Sequence, residues 1–221
     1  MGRKRIARLL RAEGLVGCHR RRRFRPGLTR RDPGAAPAPD LCRRQFSPPA
    51  PDRLWHADLT ELPTDQGPLY LAAVVEGCSR LAVGHAMGEH PTAELAIGAV
   101  QLAVGRRGLV KGGLIHHSDQ GAQFTSLAFG NRLSGTWDPR VDGLGGRRLR
   151  PRLGGELLAT LECELIDRRH WRTREEARLE VFWWLEAVSN RTRRHSSLGY
   201  LSPMEYEARL TMTISSSDPS K

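Results

Sequence analysis

Between residues 54 and 87, three short runs rich in strand-forming residues are separated only by turn residues. The runs are Leu54 to Leu62, Leu69 to Glu76 and Leu81 to Met87; the turns are Asp65 to Pro68 and Gly77 to Arg80. Consecutive strands joined this tightly pair antiparallel as a meander, which constrains the fold more than any composition does. Thr92 then caps a helix running to about Val104, with Leu95, Ala96, Ala99, Val100 and Ala103 inward, and Gly113 to His117 is a short apolar run ending in polar residues. A meander followed by helix and strand predicts a mixed α/β core. Ser126 to Leu133 and Leu157 to Ile166 read as helices, the second with Leu157, Leu158, Leu161 and Leu165 on one face. Thr173 and Glu176 make a capping box that opens a long helix to about Asn190, burying Ala177, Val181, Trp184 and Val188. Pro203 starts a final short helix, and residues 211–221 read as a disordered tail.

Charge divides the chain. Of 35 Lys and Arg, 15 lie in residues 1–53 against 4 Asp and Glu, which leaves 20 against 20 for the remainder, so the net charge of +11 belongs to the first quarter. Residues 1–31 read as a basic helical arm, with Ile6, Leu9 and Leu10 at helical spacing and a dense run that includes Arg20, Arg21, Arg22, Arg23 and Arg25. Residues 32–52, rich in Pro and Ala, read as a linker, and 53–210 as the core. Such an arm suits a polyanion, because each phosphate it neutralises releases a condensed counterion. No apolar run reaches the roughly 18 residues of a membrane span. Cys18, Cys42, Cys78 and Cys163 form no paired spacing, so they read as reduced thiols of a cytoplasmic protein.

One stretch resists this reading. Trp137 to Gly155 holds seven Gly or Pro and five Arg in nineteen residues, with neither strand alternation nor helical period. A structureless loop of that length is foreign to a compact domain.

Two acidic residues stand out by context. Asp58 alternates inside the first apolar strand, where a carboxylate is costly unless a cation or donor meets it, and Asp119 follows the strand that ends at His116 and His117. Of those two histidines, strand alternation sends one to the core and one to solvent. Carboxylates brought together from two strands suit Mg²⁺, which prefers hard oxygen ligands.

Five separated motifs then carry a resemblance. They are Trp55-x-Ala57-Asp58-x-Thr60; Leu69-Tyr70-Leu71; Ser79-Arg80-x-x-Val83-Gly84; His116-His117-Ser118-Asp119-Gln120-Gly121-x-Gln123-Phe124-Thr125-Ser126; and Asn190-x-x-Arg193-Arg194-His195-Ser196-x-Leu198-Gly199-Tyr200-x-Ser202-Pro203. In this order they resemble the second-frame transposase of the IS three family of bacterial insertion sequences, which shares its catalytic core with retroviral integrases. The resemblance implies a ribonuclease H-like fold: a mixed sheet flanked by helices. It also implies two Asp and one Glu holding Mg²⁺ or Mn²⁺ as a two-ion site. Asp58 and Asp119 are the first two ligands by this resemblance, and Arg193, Arg194 and His195, with the arginines of the arm, are DNA contacts. The partners implied are DNA, as element ends and target, and further copies of the chain, in a bacterial, nucleoid-associated setting.

The third acid is missing. Family spacing places it at position 155, which is Gly155; Glu156 is the nearest substitute, and one helical step turns it by about 100°. Read one nucleotide later, codons for Val141 to Arg150 can spell Ser-Met-Gly-Ser-Val-Gly-Asp-Ala-Tyr-Asp, and those for Arg152 to Glu156 can spell Ala-Leu-Ala-Glu-Ser. That restores Glu at the expected place. Residues 137–156 are therefore expected to be translated out of frame between two compensating changes. Family members also carry a longer region before Arg3, so the chain reads as a truncated and catalytically impaired copy. The alternatives are a non-catalytic DNA-binding remnant or a misfolded pseudogene product.

Overall fold

The computed structural model describes residues 2–14, 48–108, 114–118, 140–143 and 152–216. Strands β1 (Leu54–Leu62), β2 (Leu69–Glu76) and β3 (Ala82–Gly88) form the expected antiparallel meander. After helix α2 (Ala93–Arg107) the chain returns as β4 (Ile115–Ser118), parallel to β1, and β5 (Arg140–Gly143) adds parallel to β4. The sheet order is β3-β2-β1-β4-β5. Helix α1 (Arg3–Ala12) precedes the sheet and buries no residue. Helices α3 (Arg152–Glu164), α4 (Arg174–Trp183) and α5 (Pro203–Ser216) follow it, and α4 continues into a π-helical stretch, Trp184–Thr192.

Strand alternation sorts the core into two layers. Trp55 and Ala57 of β1, Ala72 and Val74 of β2 and Val83 of β3 pack on Leu95, Ala96, Ala99, Val100 and Ala103 of α2. All five predicted inward residues of α2 are buried, and Thr92 accepts a hydrogen bond from the Leu95 N–H at 3.3 Å. On the opposite face, Leu62, Leu71, Ala73 and Val75 pack on Leu157, Leu158, Leu161 and Leu165, and beyond them on Ala177, Val181 and Trp184. The capping box forms as read: the Glu176 N–H donates to Thr173 Oγ1 and the Thr173 N–H to Glu176 Oε2.

Four expectations are corrected. His116 and His117 are both buried, because β4 is an inner strand: His116 pairs beside Trp55 on the α2 side and His117 beside His56 on the other. Within 137–156, β5 supplies a sheet strand and α3 already begins at Arg152, since parallel pairing and a helical backbone do not need side-chain patterning. Residues 211–216 are the last turns of α5 rather than tail. The end of the expected linker is tied to the core, for Trp55 Nε1 donates to Asp52 Oδ1 at 3.1 Å and the Asp52 N–H donates to Glu76 Oε1 at 3.2 Å. The helix expected at Ser126 to Leu133 lies outside the described residues.

Candidate active site on the central strand

Asp58 sits on β1 one residue past the last position paired with β4, where Ala57 faces Ser118. It shares its face with His56, Thr60 and Leu62, the face covered by α3. The Leu59 N–H donates to Asp58 Oδ1 at 2.8 Å, which fixes the carboxylate and leaves Oδ2 turned toward α3. A Cβ built on Gly155 of α3 meets that Oδ2 at 3.8 Å and nothing nearer, so a side chain there has room and would enter beside Asp58. Seven residues on, two helical turns along the same stripe, Glu162 Oε1 accepts from Thr60 Oγ1 at 2.9 Å. Two contacts thus place positions 155 and 162 on the β1-facing side of α3.

Glu156 points elsewhere. Its Oε2 accepts from Arg80 Nη1 at 2.9 Å, in the turn between β2 and β3, as the rotation of one helical step requires. Arg193 and His195 line the same cavity as Glu156, and Arg194 Nη1 also donates to the Tyr200 carbonyl at 3.0 Å. Asp119 and the arm residues Arg20, Arg21, Arg22, Arg23 and Arg25 lie outside the described residues. Asn190, quoted above only as part of a motif, holds the edge strand β3: its side chain accepts from the Ala82 N–H at 2.9 Å and donates to the Ala82 carbonyl at 3.1 Å. Arg80 and Glu162 escaped notice as site neighbours. The signal for Glu162 was its seven-residue spacing from position 155.

Three histidines gather where β1 and β4 meet. The His56 and His117 rings stand edge to face with centroids 5.5 Å apart, and burial, reinforced by His117 and His56, pushes His116 down to about 3. His116 is therefore neutral at ordinary pH. Among the described residues no group of three or more His, Cys, Asp or Glu is arranged to hold a metal ion.

An integrase core domain model matches residues 48–135, from just ahead of β1 to just before the Gly-, Pro- and Arg-rich stretch. The 31 kDa protein of insertion element IS600 of Shigella sonnei is 34% identical over 216 residues, covering 93% of this chain and 75% of that protein. The chain belongs to the insertion-sequence transposases with a retroviral-type integrase core. Its place is in DNA integration during transposition. Other members of the family include the IS904 transposase of Lactococcus lactis, 31% identical over 92% of this chain and 79% of its own length, and InsF of IS3A from Escherichia coli, 32% identical over 92% and 70%. The fold is shared with a chain of the simian T-cell lymphotropic virus intasome, at a TM-score of 0.51 and 15% identity over 77% of this transposase-family chain and 58% of that one. The ribonuclease H-like architecture expected from the motifs is thus the one observed. No described helix is long and apolar enough to cross a membrane.

Proposed function

We propose that this chain is the core of a DNA transposase whose phosphodiester chemistry rests on Asp58, Asp119 and position 155, and that glycine at 155 leaves it impaired. The observation that carries this reading is the 3.8 Å approach of the Gly155 Cβ position to Asp58 Oδ2, set against the turning of Glu156 to Arg80. The third carboxylate belongs at 155, and Glu156 does not replace it. Mg²⁺ or Mn²⁺ held by the completed set would supply charge stabilisation for attack on a phosphodiester. In this chain Asp58 is already oriented for such a role by the Leu59 N–H. Arg193, Arg194, His195 and the arm arginines are the proposed contacts to DNA phosphates, and further copies of the chain the proposed partners. A shifted reading frame across 137–156 accounts for the glycine, and resequencing the gene over that segment checks it.

Gly155→Glu is expected to tighten Mn²⁺ binding by about tenfold or more, because ligand charge sets affinity at such sites. It is also expected to confer divalent-cation-dependent nicking of element-end DNA that Asp58→Ala abolishes. If Gly155→Glu leaves metal affinity unchanged while Glu156→Gln lowers it, the assignment of 155 fails. The second reading, a chain that binds DNA without cutting it, is favoured by the glycine itself and predicts salt-sensitive binding with no nicking in the unaltered protein.

A further inference from the structure

One helical step round α3 from position 155, a cavity of about 240 Å³ is lined by Arg80, Glu156, Thr160, Arg193, Arg194 and His195. Three guanidinium groups and an imidazole border it, and Glu156 is the one carboxylate among its described lining residues. Arg80 is held there by a left-handed backbone, φ 64°, a conformation that is costly for a non-glycine residue and persists where surrounding structure imposes it. Arg193 is braced from behind by an ion pair with Glu164 and lies 5.5 Å from the Trp184 ring centroid. Two polar atoms in this wall, Arg193 Nε and His195 Nε2, are buried and have no hydrogen-bond partner among the described residues. Burial, with Arg80 and Arg193 alongside, lowers the His195 pKa, so the ring is neutral near pH 7.

A finished ion-pair network leaves few such atoms over, because a buried donor without an acceptor is costly. Among the described residues the cavity is short of acceptor oxygens. Among the described residues Glu156 gives an oxygen to Arg80 only, with 46% of its side chain exposed, so letting go costs little. A phosphodiester carries the same single charge with oxygens directed to several sides, which suits planar arginine forks.

We propose that this cavity is a subsite for one backbone phosphate of a DNA strand, and that Glu156 occupies the phosphate's place in the free chain. The proposal rests on the transposase reading, since position 155 on the same turn of α3 faces Asp58 and a strand gripped here lies next to that carboxylate. Arg80 is thereby a DNA contact, and Glu156 an internal competitor rather than a catalytic acid.

The test is fluorescence anisotropy of a labelled duplex oligonucleotide with the full chain, in EDTA, across a salt series. Glu156→Gln is expected to tighten binding severalfold. Arg80→Ala is expected to weaken it and reduce the slope of log affinity against log salt by about 1, as loss of one phosphate contact does. Once Arg80 is alanine, Glu156→Gln should gain nothing. Arg80→Lys, which keeps the charge, should retain most of the slope and so separates lost contact from lost fold. The proposal is overturned if Glu156→Gln leaves affinity unchanged or weaker, or if its gain survives Arg80→Ala. It also fails if inorganic phosphate moves the His195 imidazole resonances in Glu156→Gln while the oligonucleotide does not, because the site then belongs to a free anion. A wild-type chain with no salt-dependent DNA binding would instead sink the transposase reading and this proposal together.

Discussion

His116 carries the clearest pH consequence in the core. Its folded pKa lies at about 3, below the ordinary value of 6.5, because burial beside His56 and His117 opposes a charge. A depressed pKa gives stability that is full above the unfolded value and is lost as pH falls toward the folded one, since the unfolded chain binds the proton first. Unfolding free energy from urea titrations is therefore expected to drop by about 2 kcal/mol on this residue's account between pH 7.5 and pH 5. His116→Gln should flatten that slope; an unchanged slope would sink the assignment. The pair of histidines also marks where the sequence stopped being legible. Alternation along one strand is visible in the sequence, but burial of both faces depends on layers packed above and below the sheet, which one strand does not reveal. Asp58 was readable because a carboxylate among apolar strand residues needs a reason. The Arg80–Glu156 pair was not readable, since it depends on a left-handed residue in a turn and the rotation of a helix in another layer.

At the scale of elements, the meander and α2 were legible because their contacts are local and their periods clean. The β3–α2 packing tests this most sharply. A Cβ on Gly84 would lie 2.2 Å from the Ala99 carbonyl oxygen and 2.8 Å from Ala103 Cβ, so strand and helix touch backbone to backbone. Gly84→Ala is expected to cost about 3 kcal/mol, measured as a lower urea midpoint with an unchanged m-value. The long helix opened by Thr173 was foreseen as a single helix to about Asn190, yet its second half is π-helical over Trp184–Thr192. Periodicity in a short window does not separate 3.6 from a wider turn. What the wider turn accompanies is specific: Asn190 reaches both backbone groups of Ala82 on the free edge of the sheet. That edge is thereby partly closed to other strands.

For the molecule as a whole, one guanidinium ties distant parts together. Arg107 at the end of α2 makes a bidentate contact to Glu207 of α5 and lies 3.3 Å from Asp52 through Nε. Ser79 Oγ is 2.8 Å from Glu76 Oε2 and 2.5 Å from Glu207 Oε1. Burial raises the pKa of Glu76, partly offset by hydrogen bonds from Ser79 and Cys78. Arg107→Leu strands these carboxylates, and breaking such a partly buried pair is expected to cost about 3 kcal/mol in a thermal or urea melt. None of this network was legible, because it joins residues 52, 79, 107 and 207, which no local pattern relates. It also makes neighbours of the stretch that leads into β1 and the helix that closes the described chain. Positions 52 and 207, far apart in the chain, are thereby held at high effective concentration to each other.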